Sequence, residues 1–294
     1  MTSGDLTHPY FLSTVEELDD ISRPFAQEFV KMGHKPVTIF VSPANMYPRK
    51  YRFRLIPQKI LIFSDDGVMQ ISHPENKNEK PIVNFIESKD ILFVRNNIYL
   101  LYGKLEIWSG KNITRPEIEI EYNTVAHYSL RPYVRNLIEQ SWKNNQNLKS
   151  NLQPDTSFEE LFKISYSYYN GLLTEGLHKD EEVLSVIYQT EIHRKYWGIF
   201  TKKIFPDTCF AFTNRQMIIL QQDLRYRVHH EWLFTFISLF QCSDLKISEG
   251  ESCKICKIDV GQILPLTFLL ESHNMDLLQK TYLRWKEQTS VYSS

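Results

Sequence analysis

Parts of this chain occur twice, and no other feature limits its fold more. Residues 14–22 line up with residues 157–165 at an offset of 143, sharing a Glu-Glu-Leu core and an Ile-Ser end. Arg49-Lys50-Tyr51 matches Arg194-Lys195-Tyr196 at an offset of 145, and residues 38–41 fall on 183–186 at the same offset. Residues 55–63 match 212–220 at 157, which implies about 12 extra residues between Tyr196 and Phe212 in the second copy. Trp142-Lys143 then returns to Trp285-Lys286 at 143. A period this long exceeds any solenoid unit. It predicts two copies of one domain, in keeping with about two domains for 294 residues. The expected boundaries are 1–146 and 157–294, with 147–156 as a linker inside the polar stretch 144–156.

Within each copy the hydrophobic period switches in the same order. Val15, Leu18, Ile21, Phe25, Phe29 and Met32 form a stripe of helical spacing, with Pro24 marking a kink or restart. Phe158, Leu161, Phe162, Tyr168, Tyr169 and Leu172 form its counterpart. Thr14/Glu17 and Ser157/Glu160 both read as capping boxes. Short runs rich in Ile, Val, Phe and Tyr follow, broken by Pro, Asn, Asp and Gly, and they predict about seven strands. Residues 56–59 and 213–216 read as tight turns between such runs. Each copy closes on a helix, with Val134, Leu137, Ile138, Ser141 and Trp142 on one face, and Leu277, Leu278, Thr281, Tyr282 and Trp285 on the other's. Helix, strands and helix, written twice, is an α+β arrangement in which the final helix covers an antiparallel sheet.

The run Phe210-Ala-Phe-Thr-Asn-Arg-Gln-Met-Ile-Ile-Leu220 resembles the second hairpin of bacterial pleckstrin-homology-like (PH-like) domains, and the acidic residues 180–182 before Val183 resemble the lead-in to that family's first strand. The first copy departs from the pattern, because Pro57 and Gln58 replace the Asn-Arg of the turn. The resemblance implies two tandem PH-like domains. Each would be a strongly bent seven-stranded antiparallel sheet or barrel plugged by a C-terminal helix carrying Trp142 or Trp285, with a helix in front. Domains of this family bind lipids, peptides or proteins and are rarely enzymes.

Pro48-Arg-Lys-Tyr-Arg-Phe-Arg54 holds four cations and no acid. In one strand, Lys50, Arg52 and Arg54 share a face opposite Tyr51, Phe53 and Leu55. The resemblance places such a row beside the loop from the first to the second strand, where eukaryotic relatives hold phosphoinositide headgroups. Guanidinium groups suit phosphate oxygens because they offer a planar bidentate fork. The same residues also read as a solvated face paired with Asp65, Asp66 or Glu121. Candidate ligand-binding residues are therefore Arg49, Lys50, Arg52 and Arg54. Arg194 and Lys195 are their counterparts, with Lys202 and Lys203 nearby but no alternating Arg pair.

Other chemistry has weaker grounds. Cys253-x-x-Cys256 lacks a second pair at zinc spacing and lies in a strand-like run, which points its thiols to opposite faces. His229-His230-Glu231 lacks identifiable further ligands. No phosphate-binding glycine loop, nucleophile elbow or His-Glu-x-x-His occurs, and glycine is scarce at 10 residues. Tyr166, Tyr168, Tyr169, Tyr188, Trp197 and Phe200 read as packing, or alternatively as a partner groove. A formal charge of −1 argues against nucleic acid. Four cysteines and no leader-like start or membrane-length apolar run point to the cytoplasm. The expectation is a non-enzymatic scaffold without metal or cofactor, binding another protein or further copies of itself. The alternatives are an anionic membrane or other polyanion held by residues 49–54, or an enzyme or effector with a scattered site around His229, His230 and Glu231.

Overall fold

A computed structural model describes residues 8–49, 52–76, 79–99, 101–112, 114–143, 154–196, 200–222, 232–239, 241–250, 253–261, 263 and 265–290. The fold is mixed α+β, with several antiparallel sheets and five α-helices among the described residues. The chain divides into two compact units. One comprises Met1–Ile91, Ile98–Ser109 and Pro116–Asn144; the other comprises Leu92–Asn97, Gly110–Arg115 and Asn145–Ser294.

The first unit opens with β1 (Tyr10–Leu12), a 3-10 turn (Val15–Glu17) and α1 (Arg23–Lys31). Then come β2 (Pro36–Ser42), a separate hairpin of β3 (Asn45–Arg49) and β4 (Arg52–Ile56), β5 (Lys59–Ser64), β6 (Gly67–Ser72) and β7 (Ile82–Glu87). Strands β1, β2, β5, β6 and β7 lie in that order in one antiparallel sheet. Its alternate residues Ile39, Val41, Ile60, Ile62, Met69 and Ile71 bury against Val15, Leu18, Ala26 and Phe29. The expected helical stripe is thus two pieces. The Asp19 carboxylate accepts from the N–H groups of Ile21 and Ser22, turning the chain before Pro24 restarts it, and Ile21 and Met32 are left exposed.

After β8 (Phe93–Tyr99), the first unit resumes with β9 (Tyr102–Trp108), β10 (Ile118–Tyr122) and α2 (His127–Lys143), which buries Leu130, Val134, Leu137, Ile138 and Trp142. In the β9–β10 pair Gly103 lies opposite Tyr122. A Cβ on Gly103 would sit 2.4 Å from the tyrosine ring, so only glycine lets that ring lie flat. The outer edge of β10 is held by side chains from four other strands. Ser42 Oγ donates to Glu121 O at 2.7 Å, Lys59 Nζ and Gln70 Nε2 to Glu119 O at 2.7 and 2.6 Å, and Asn84 Nδ2 to Glu117 O at 3.0 Å.

The second unit begins with α3 (Ser157–Ile164) and α4 (Tyr166–Gly171). Next are β11 (Val183–Gln189), a separate hairpin of β12 (Ile192–Tyr196) and β13 (Phe200–Phe205), β14 (Thr208–Thr213), β15 (Gln216–Gln222) and β16 (Trp232–Ser238). Strands β11, β14, β15 and β16 pair in sequence, with β14 buried along its whole length. A three-stranded sheet of β17 (Cys242–Glu249), β18 (Lys254–Val260) and β19 (Leu266–Leu270) follows, then α5 (Ser272–Ser290). Helix α5 buries Met275, Leu278, Tyr282 and Trp285, a three-four-three spacing that leaves Leu277 exposed. Outward groups of β11 are tied off: Leu184 O accepts from Asp155 N, Val186 N donates to Ser157 Oγ, and Tyr188 O accepts from Asn274 Nδ2.

Two expectations need correction. No sheet closes into a barrel among the described residues; in the first unit, polar side chains take the bonding positions that a closing strand would occupy at β10. The match at offset 157 joins unlike strands, because residues 56–59 connect β4 to β5 whereas residues 213–216 connect β14 to β15. By strand order β5 corresponds to β14, and these begin 149 residues apart. The capping reading also shifts: Thr14 Oγ1 and N–H both reach Glu17 Oε1, but Thr156 rather than Ser157 is the N-cap of α3, bonding Glu160 Oε1 at 2.9 Å.

Candidate binding hairpins

Each unit inserts a two-stranded ribbon into the chain between two strands that pair with each other, β3–β4 between β2 and β5 and β12–β13 between β11 and β14. In β3–β4, Arg49 lies opposite Arg52 and Tyr47 opposite Arg54, so backbone register gathers these four positions on one face. The chain reverses between Arg49 and Arg52, so Arg49, not Lys50, takes the place across from Arg52. Lys50 and Tyr51 lie outside the described residues.

In the β12–β13 ribbon the side chains of residues 192–195 and 200–205 are described. Arg194 pairs with Lys202, His193 with Lys203 and Lys195 with Thr201. Lys203 Nζ is 2.5 Å from Glu191 Oε2 and His193 Nε2 is 3.3 Å from Glu191 Oε1. The hydrogen bond and charge of Lys203, aided by His193, outweigh slight burial and hold the Glu191 carboxyl below the usual range. Arg194, Lys195, Thr201 and Lys202 are exposed, and Phe200 is 65% exposed.

The two stretches that carry the family resemblance prove to be one internal clasp. Glu181 Oε1 accepts from Thr213 Oγ1, and Glu181 Oε2 accepts from Gln216 Nε2 and His178 N, each at 3.0 Å. Thr213 Oγ1 in turn accepts from the N–H groups of Arg215 and Gln216, and Thr213 O accepts from Trp285 Nε1 at 2.7 Å. Burial pushes the Glu181 carboxyl up, against the opposing pull of these hydrogen bonds. Composition marked the acidic residues 180–182 only as a group; that Glu181 is the buried member became visible from the hydroxyl and amide it faces.

A cluster that sequence reasoning missed lies in the first unit. Ser22 Oγ is 2.7 Å from His73 Nε2 and 3.2 Å from Asp19 Oδ2, and Asp19 Oδ2 also accepts from Gln58 Nε2 at 2.9 Å. These are the residue types of a hydrolytic triad, but the arrangement differs. Serine and carboxylate approach the same ring nitrogen, Asp19 Oδ2 lying 3.6 Å from Nε2, and Ser22 is fully buried. A triad instead requires the carboxylate on the opposite nitrogen and an accessible hydroxyl. No signal in the spacing of Asp19, Ser22 and His73 announces the contact, which is supported by His73 N donating to Gln58 O at 2.9 Å.

Burial pushes the Cys242 thiol up to about 11 and the Cys256 thiol up to about 12, so both are protonated at neutral pH. Cys256 faces the core within β18, while half-buried Cys253 precedes that strand. His229, His230, Glu231 and Trp197 lie outside the described residues, among which no group of His, Cys, Asp and Glu is arranged to hold a metal. No described helix is long and apolar enough to cross a membrane. Of the aromatic residues, Tyr168 is packed, edge-on to Tyr188 and Trp232 with its hydroxyl donating to Asp207 O at 2.8 Å, whereas Tyr166 is exposed.

No family model matches the chain, and no curated protein matches it. Among solved structures, it is similar to a pleckstrin homology domain from Shewanella amazonensis SB2B, with 14% identity and a TM-score of 0.27, over 47% of this chain and 93% of that one.

Proposed function

We propose that this chain is a non-enzymatic, cytoplasmic binding scaffold built from two tandem PH-like units, each using its inserted hairpin as a contact arm for another protein. The tandem reading is supported by the repeated order of elements: first strand, inserted hairpin, three further strands, three more strands and a tryptophan-bearing helix, found in residues 36–143 and again in 183–290. The observation that carries the binding role is the β12–β13 ribbon, which stands outside the unit's larger sheets and exposes Arg194, Lys195, Lys202 and Phe200 together. A ring beside cations is the composition favoured at contact hot spots.

Site-specific photo-crosslinking in native extract tests this. A photoreactive side chain at exposed Thr201 should capture a discrete protein, and the same group at exposed Lys257 in β18 should not. Equal capture at both sites, or none at Thr201, overturns the reading. A second reading, attachment to anionic membrane, is favoured by the four cations without an acid in residues 48–54. Sedimentation with phosphatidylserine vesicles that is lost in Arg52→Gln/Arg54→Gln would replace the first reading by the second.

A further inference from the structure

We infer that the open edge of β17 pairs with the same edge of a second copy of this chain, about a two-fold axis at Leu245. This contact goes beyond the proposed binding role and does not depend on it. Among the described residues β17 has β18 as its one neighbouring strand. At the hairpin end Gly250 N donates to Cys253 O at 3.0 Å. Alternate residues bond across an antiparallel pair, so the register makes Ser248, Lys246 and Asp244 the residues that bond β18. The N–H and C=O groups of Leu245 and Ile247 therefore point to the open edge. There the Leu245 N–H takes Asp244 Oδ1 of its own strand at 2.8 Å, a side-chain substitute for a neighbouring strand.

The charges along this edge fit a second copy of itself. Across β17 and β18 like charges lie opposite one another, Asp244 against Asp259 and Lys246 against Lys257, an arrangement that repels. Lys246 relieves part of this by reaching diagonally to Asp259 Oδ2 at 2.5 Å. A second β17, antiparallel and centred at Leu245, sets its Lys246 opposite Asp244 and its Asp244 opposite Lys246. Each row across the joined sheets then reads two acids followed by two cations. Sliding one strand by two residues sets Lys246 against Lys246, or Asp244 against Asp244, so charge selects the register as well as the partner.

Pairing also completes the backbone. Leu245 N–H exchanges its own Asp244 for the Leu245 carbonyl of the second copy, which frees Asp244 to meet Lys246 across the axis. On the opposite face half-buried Leu245 meets Leu245 of the second copy, with buried Ile258 behind each. The two-fold axis uses up both open edges, so this contact closes at two copies. Lys257 stays one strand behind, about 10 Å from the second copy, so a crosslinker there does not report the contact.

Sedimentation of the full chain across the micromolar range tests the pairing. The wild type should form a reversible dimer. Asp244→Lys and Lys246→Asp each set like charges opposite one another at two places, and each should weaken the dimer by at least about tenfold. An equimolar mixture of the two variants should recover a dimer containing one of each, because each chain supplies the charges that answer the other. Circular dichroism confirms that the variants fold. A wild type that stays monomeric, single variants that dimerise as tightly as the wild type, or a mixture that stays monomeric each overturns the inference. Capture of a different protein at Thr201 would stand in all of these cases, so failure of the self-pairing is distinguishable from failure of the binding role.

Discussion

The turn Ser64-Asp65-Asp66-Gly67 between β5 and β6 and the turn Thr213-Asn214-Arg215-Gln216 between β14 and β15 hold one position in the strand order, and they solve it with opposite charge placement. In both, the first residue's hydroxyl lies within hydrogen-bonding distance of the fourth residue's carbonyl, at 3.0 Å from Ser64 and 2.9 Å from Thr213. In the first unit the acid belongs to the turn. Asp66 Oδ2 is 2.7 Å from His34 Nδ1 and Ser64 Oγ lies 2.8 Å from Asp66 Oδ1. In the second unit the acid is Glu181, from the segment before β11, and the turn supplies donors. Burial raises both carboxyls, but for Asp66 the Ser64 and His34 bonds outweigh it and the net direction is down, while for Glu181 burial wins. A similar backbone shape therefore does not carry a similar charge: hydrogen bonds lower both acids, and the depth of burial decides the net direction.

The sharpest way to break this comparison is to remove the two hydroxyls. Thr213→Val leaves the Glu181 carboxylate and two turn N–H groups short of a partner in a buried site, and should cost about 3 kcal/mol. Ser64→Ala, beside a carboxylate whose side chain is 52% exposed, should cost about 1 kcal/mol. Denaturant unfolding of the full chain measures both, and equal losses would show that burial is not the deciding variable.

A second difference between the units ranks next. β10 is held by long polar side chains, whereas β19 packs Phe268 edge-on against Phe210 at 5.1 Å. Gln70→Leu keeps the volume but takes from Glu119 one of the two donors to its carbonyl and the acceptor of its N–H, and should cost about 2 kcal/mol. A neutral outcome would mean that Lys59 alone satisfies that carbonyl.

The pH dependences should run in opposite directions. Glu181 binds protons more readily when folded, so its contribution is present at low pH and lost as pH rises from the ordinary glutamate range through the folded value. Glu181→Gln should flatten that decline. Asp66 is the smaller, inverse case: its contribution is present above the ordinary aspartate range and lost as pH falls through the folded value. With half the side chain in water it is worth less than about 1 kcal/mol. Asp66→Asn should remove only that weak acid-side loss, and melting temperatures across acidic pH measure both effects.

How much of this was readable beforehand depended on what each residue's pattern encodes. The terminal helices were legible because Trp142 and Trp285 sit in strong apolar stripes that end up buried. The false match at offset 157 has a physical origin: residues 59–63 and 216–220 look alike because β5 and β15 are both buried on two faces, which removes the alternation that would have told one strand from another. Gln70 and Asn84 were illegible for the reverse reason. They occupy polar positions of ordinary strands, and only the crossing of β10 converts them into backbone donors. The cationic row was found by composition, but its geometry was not, since a reversal after Arg49 turns one strand into two.

The three ties along β11 bear on how this protein can assemble. An open strand edge recruits the next chain by backbone pairing, without regard to side chains, and such growth has no natural end. With Leu184 O, Val186 N and Tyr188 O already engaged by Asp155, Ser157 and Asn274, a newcomer cannot run an unbroken ladder along that edge. Association at this edge therefore leans on side chains, where a single charge can decide which neighbour is accepted and where the assembly stops.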